Sequence, residues 1–205
     1  MSHKSHWENV YETKTPDQVS WTQIVPSTSL RLIEEVAIKK NAPIIDVGGG
    51  DSNLVDYLLK EGYTNVSVLD ISEKALERAK ARLGEKASQV TWIVSDINTF
   101  VPKQHYAIWH DRAVFHFVTG EKDIQNYVHR VANYVSGYFI VGTFSENGPL
   151  KCSGLEIKQY NEERLNALFG AQFDKLSCFN EDHITPFDTV QNFIFCTFKR
   201  RYQCC

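Results

Sequence analysis

Long hydrophobic runs are missing from this chain: nowhere in its 205 residues does an apolar stretch approach the roughly 18 needed for a membrane-spanning helix. Residues Met1 to His6 lack the apolar core of a secretory leader, so a cytoplasmic location without membrane contact is expected. Cysteine is scarce and scattered (Cys152, Cys178, Cys196, Cys204 and Cys205), odd in number and without a C-x-x-C pair. That spacing argues against a disulfide framework and a zinc cluster, so thiols and no metal site are expected, with Cys204-Cys205 as an exposed tail. Neither sign of charge dominates, with 22 Lys and Arg against 25 Asp and Glu, so no general attraction to nucleic acid or anionic lipid is expected. The basic run Lys199-Arg200-Arg201 reads as a solubilising end. Internal repeats and low-complexity segments are absent. The length suits one domain over residues 1–205, with 1–40 as a helical cover and 41–200 as an α/β core.

Glycine is also sparse, with 11 in all, yet Gly48, Gly49 and Gly50 are adjacent. They follow Ile44-Ile45-Asp46-Val47, an apolar, β-branched run suited to a buried strand, and precede Asn53 to Leu59, which has helical spacing. Strand, glycine turn and helix form the first half of a βαβ unit, with a turn that lets backbone approach a ligand. The dinucleotide fingerprint requires a third glycine where Asn53 stands, so it fails. Asp46, just ahead of the turn, repels phosphate and attracts positive charge. The plain alternative is a glycine turn without a ligand.

Two further strands end on acids. Asn65 to Asp70 is the second, and Asp70 follows Gly50 by 20 residues, where a carboxylate can accept both hydroxyls of a ribose. Ser72 is the better cap for the next helix, which presents Ala75, Leu76, Ala79 and Leu83 and closes at Gly84. Val90 to Ser95 is the third strand, followed by Asp96 and Ile97, an acid and an apolar side chain suited to an adenine amino group and ring. Parallel strands joined by helices bring these tips to one edge.

The pattern Asp46-x-Gly48-x-Gly50, Asp70 and Asp96 resembles the class I methyltransferase family, which uses S-adenosylmethionine. The resemblance covers about residues 20–200. It implies a Rossmann-like α/β fold: a seven-stranded, mostly parallel sheet with a C-terminal antiparallel hairpin and helices on both faces. It also implies that Asp46 and Gly48 to Gly50 face the methionine end of the cofactor, Asp70 its ribose, and Asp96 and Ile97 its adenine, with Ile71 also at the cofactor. Trp109-His110-Asp111-Arg112 is similar to the Trp-Asp-Arg segment of thiopurine methyltransferases, with His110 inserted. That similarity places Arg112 against the cofactor and gives Trp21 a cofactor-side role.

The rest of the chain is expected to hold a fourth strand at Tyr106 to Trp109, a helix at Asp123 to Ala132 and a fifth strand at Gly137 to Phe144. A helix at Asn161 to Phe169 and a strand pair at Phe173 to Asn180 and Val190 to Lys199 follow. Ahead of the core, helices are expected at His6 to Tyr11 and Leu30 to Ala37, joined through Thr15-Pro16-Asp17. The turn-rich stretch Ser145 to Gly154 is a candidate acceptor lid. His110, Asp111 and His116 are candidates for acceptor contact or proton removal, with an ion-paired Asp111-Arg112 and an ordinary buried His116 as the plain alternatives. The expected activity is methyl transfer from S-adenosylmethionine to sulfur or nitrogen of a small molecule, with a protein side chain as second choice. A nicotinamide-dependent oxidoreductase and a non-catalytic cofactor-binding module are the alternatives.

Overall fold

The computed structural model describes residues 2–201. In chain order it contains helices α1 (His3–Thr13) and α2 (Ser27–Glu35), strand β1 (Ile44–Val47), α3 (Leu54–Lys60), β2 (Val66–Asp70), α4 (Glu73–Leu83) and β3 (Val90–Val94). Strand β4 (Tyr106–Arg112), α5 (Glu121–Tyr134), β5 (Val135–Phe144), the short β6 (Lys151–Cys152) and β7 (Leu155–Glu156), α6 (Glu162–Phe169), β8 (Phe173–Ile184) and β9 (Val190–Arg200) complete it. The seven-stranded sheet has the order β3-β2-β1-β4-β5-β9-β8, with β9 alone reversed, antiparallel to both β5 and β8. This is the expected fold.

Both sheet faces are apolar because helices cover both. On one side Leu32 and Ile33 of α2, Leu54 and Leu58 of α3 and Leu76 of α4 pack on Ile44, Val68 and Ile108. On the other, Tyr127 and Val131 of α5 and Leu165 and Phe169 of α6 pack on Ile45, Trp109 and Phe139. The alternation along β1 and β4 thus sends successive side chains into two separate cores.

Several boundaries differ from expectation. Helix α1 begins at His3, where Ser2 caps it by accepting from the Ser5 N–H. Helix α2 starts directly after Pro26 and ends before Ala37, whose φ of 48° cannot continue a helix. Strand β4 runs on to Arg112, since His110 and Asp111 pair with Asp46 and Val47 of β1 and Arg112 pairs with Gly142 of β5. The hairpin is longer than its apolar pattern indicated, with β8 continuing to Ile184.

Two cysteine and charge expectations also change. Cys178 and Cys196 are disulfide-bonded, because the β8–β9 register sets them directly opposite with their Cα atoms 4.2 Å apart; the expectation of free thiols fails for this pair. Cys152 is free and buried, while Cys204 and Cys205 lie outside the described residues. Lys199 and Arg200 belong to β9, Arg200 sits over the Phe173 ring and Arg201 pairs with Asp174, so the basic run is part of the hairpin. Among the described residues no helix is long and apolar enough to cross a membrane, and none of their His, Cys, Asp and Glu side chains form a metal-binding group.

Candidate active site

A cavity of about 850 Å³ opens at the carboxyl ends of β1, β2, β3 and β4, within the range of small-molecule sites. Its floor is the glycine turn. Gly48 and Gly50 have φ of 69° and 51°, and the Gly48 and Gly49 N–H groups donate to the Leu69 carbonyl at 2.7 and 3.2 Å. A Cβ at Gly48 would lie 1.9 Å from Val114 Cγ2, and one at Gly49 would lie 2.6 Å from Asp46 Oδ2. These positions therefore exclude side chains.

The acids stand at neighbouring tips. Asp70 is buried, accepts from the Ser72 N–H at 2.8 Å and from the Gly50 N–H, and its pKa is pushed up to about 7 by burial, with Asp51 and Asp46 adding repulsion. Ser72 caps α4 through the Ala75 N–H, as the sequence indicated. Asp96 accepts from the Asn98 N–H at 2.8 Å and lines the cavity with Ile97 and Ile71.

Strand β4 divides its polar residues between the two faces. His110 faces the cavity, with Nδ1 2.7 Å from Asp46 Oδ1 and Nε2 2.9 Å from Ser29 Oγ. Arg112, also at the cavity, donates to the Trp21 carbonyl at 3.1 Å and lies over the Phe193 ring. Burial pulls its pKa down to about 10, which leaves it cationic at neutral pH, and its shielded Nε has no hydrogen-bond partner among the described residues. Asp111 points the other way, where it accepts from the Tyr127 hydroxyl and the Val114 and Phe115 N–H groups. Burial lifts its pKa to about 6 despite those bonds. His116 also lies outside the cavity lining, stacked on Phe144 at 4.3 Å. Among the described residues neither of its ring nitrogens has a partner, and burial, then Arg112, pulls its pKa to about 3. The structure therefore gathers Trp21, Asp46, Gly48, Gly49, Asp70, Ile71, Asp96, Ile97, His110 and Arg112 at one cavity, with Gly50 behind the turn and Asp111 and His116 apart from it.

The roof comes from elements whose role the sequence did not reveal. Trp7 and Tyr11, four residues apart on α1, meet Trp21 at ring-centroid distances of 5.6 and 6.3 Å, and Trp7 meets Phe117 at 5.2 Å. A Cβ on Gly50 would lie 2.7 Å from the Tyr11 hydroxyl, so α1 packs directly on the glycine turn. The i, i+4 spacing of Trp7 and Tyr11 was the available signal. The cavity wall opposite is His183 to Pro186 at the β8–β9 turn; no residue of Ser145 to Gly154 lines it, so the expected lid lies elsewhere. Ser29, Asp51 and His183 are further lining residues without a sequence motif.

This set fits S-adenosylmethionine. Asp70 and Asp96 offer acceptors to a nucleoside, Asp46 offers negative charge beside the glycines, and the unpartnered Nε of Arg112 suits a carboxylate.

Residues 44–136 match a family model described as "Methyltransferase domain". No curated protein sequence matches the chain. Among solved structures, one concerned with conversion of a disulfide bond into a thioacetal group during echinomycin biosynthesis is similar at a TM-score of 0.77 and 15% identity, covering 98% of this chain and 94% of that one. A SAM-dependent methyltransferase of Anabaena variabilis gives 0.76 and 16%, covering 98% and 96%. The 1,6-didemethyltoxoflavin-N1-methyltransferase of Burkholderia thailandensis gives 0.72 and 16%, covering 97% and 87%. Residues 44–136 thus match a methyltransferase-domain model, in a chain that takes the class I methyltransferase fold along nearly all of its length.

Proposed function

We propose that the protein is an S-adenosylmethionine-dependent methyltransferase acting on a sulfur or nitrogen nucleophile of a small molecule. The observation that carries this reading is the meeting of Asp46, Asp70 and Asp96, from three strand tips, around one cavity with the glycine turn as its floor. Asp70 accepts the ribose hydroxyls, Asp96 and Ile97 hold the adenine, and Trp21 and Arg112 hold the amino-acid end. Bound there, S-adenosylmethionine supplies a methyl group already activated by its sulfonium, so the chain needs no covalent nucleophile. Its task is to align the acceptor and keep water out, which in favourable cases lowers a barrier by roughly 7–11 kcal/mol.

The aromatic roof of Trp7, Tyr11 and Trp21 supports a small acceptor, because it covers one side of a cavity of about 850 Å³. The Burkholderia N1-methyltransferase and the magnesium protoporphyrin IX methyltransferase of Synechocystis, both similar in fold, support the same class. Calorimetry with S-adenosylmethionine on the wild type and Asp70→Ala tests the assignment. Binding by the wild type and a loss of at least tenfold in the variant are expected; equal affinity would remove Asp70 from the site. A screen of small thiols and amines for methylated product then identifies the acceptor.

A further inference from the structure

Three buried polar groups form a chain that begins at the cavity. Ser29, in the first turn of α2, has its Oγ 2.9 Å from His110 Nε2, and His110 Nδ1 is 2.7 Å from Asp46 Oδ1. The three residues are 1%, 2% and 3% exposed, yet each lines the cavity wall. They come from a helix and two neighbouring strands, with Asp46 and His110 directly paired in the β1–β4 register.

With Asp46 ionised and the His110 ring neutral, the order of groups sets where the protons sit. A carboxylate only accepts, so His110 donates Nδ1–H to Asp46 and a neutral imidazole keeps its lone pair on Nε2. The Ser29 hydroxyl then donates to Nε2. Among the described residues Ser29 Oγ has no other partner, so its lone pairs are free for a group in the cavity. Asp111, next along β4, is a further charged group that couples to His110.

We infer that Ser29, His110 and Asp46 are a proton relay, and that the methyl acceptor is a nucleophile that carries a proton, a thiol or a primary or secondary amine, rather than a thioether or a tertiary amine. This rests on reading the cavity as a methyl-transfer site. As the acceptor atom forms its bond to the methyl carbon, the carbon–sulfonium bond breaks and its electron pair stays on the donor sulfur. The proton of the acceptor passes to Ser29 Oγ, and the Ser29 proton passes to His110 Nε2. The imidazolium so formed is held by Asp46. An acceptor without a proton has no use for such a chain.

Nitrogen-15 NMR of the histidine rings, together with calorimetry, tests this without a known acceptor. The neutral wild type is expected to show His110 with its proton on Nδ1, and Ser29→Ala to shift the Nε2 resonance while affinity for S-adenosylmethionine stays within about twofold. A proton on Nε2 in the neutral ring, hence a His110 that donates to Ser29, overturns the relay. Failure of the wild type to bind S-adenosylmethionine would instead overturn the methyltransferase reading beneath it. Once the small-molecule screen has given an acceptor, Ser29→Ala is expected to lower kcat by roughly 100-fold with KM little changed, and Ser29→Thr to restore most of it. Unchanged kcat in Ser29→Ala, or turnover of a thioether in place of thiols and amines, contradicts the inference.

Discussion

Glu8 of α1 caps a helix that is not its own: its carboxylate accepts from the Glu73 N–H at 2.9 Å, while the Ser72 hydroxyl donates to it at 2.8 Å. The Lys74 N–H adds a third bond, and Arg78 of α4 ties back to the Tyr11 and Lys14 carbonyls. The helix that roofs the cavity is therefore fastened to the N-terminal end of α4, whose partial positive charge favours an acid.

Glu8→Ala is expected to loosen that fastening. Loss of a helix cap costs about 0.5–2 kcal/mol, and the loss should appear as faster amide exchange in α1 and weaker S-adenosylhomocysteine binding. Partial burial opposes the charge of Glu8, but the bonds from Glu73, Ser72 and Lys74 prevail and its pKa is lowered from 4.5. A depressed acid stabilises above its unfolded pKa, so the difference between wild type and variant should be full at neutral pH and fade as pH falls below about 4.5.

Asp70 works in the opposite sense. Its folded pKa, raised to about 7 by burial and by Asp51 and Asp46, means that the native state holds a proton the unfolded chain has lost. Stability associated with Asp70 therefore falls as pH rises from about 4 to about 7. Asp70→Asn should raise the melting temperature of the ligand-free protein at pH 8, with the gain vanishing near pH 4, while cofactor binding weakens. A variant less stable than wild type at pH 8 would contradict the assigned shift.

Arg112 is assigned to the carboxylate of the cofactor. Arg112→Gln should weaken S-adenosylhomocysteine by roughly tenfold or more, as expected for loss of a charge-assisted bond, and leave 5′-methylthioadenosine, which lacks the amino-acid end, nearly unaffected. Equal losses for both ligands in paired calorimetric titrations would show that Arg112 acts only through the wall it packs on.

Tyr127→Phe removes a hydroxyl that bonds the buried Asp111 and receives the Trp109 N–H at 3.2 Å. Leaving these partners unsatisfied should destabilise the protein by about 1–3 kcal/mol in denaturant unfolding, with cofactor affinity retained. A large loss of affinity with unchanged stability would place Asp111 in the site after all.

Much of this was legible in local spacing. The glycines after β1, the acids at the ends of β2 and β3, and the Ser72 cap were all readable because each is set by neighbours within a few residues. The division of His110 from Asp111 was not, since it depends on β4 continuing three strand positions further, which its pairing with β1 and β5 decides. His116 carried the residue type of a proton acceptor, but burial against the Phe144 ring of β5, and then the charge of Arg112, remove its basicity. The α1 roof was hidden for the same reason: Glu8 and its partners are 64 to 66 residues apart. Cys178 and Cys196 meet only through the hairpin register.

The most direct measurement of the central claim is a crystal structure of the protein soaked with S-adenosylhomocysteine. Density is expected beneath α1, with the ribose hydroxyls on Asp70, the adenine beside Asp96 and Ile97, and the sulfur near the glycine turn. A fully occupied ligand found elsewhere, or an empty cavity at saturating concentration, would contradict it.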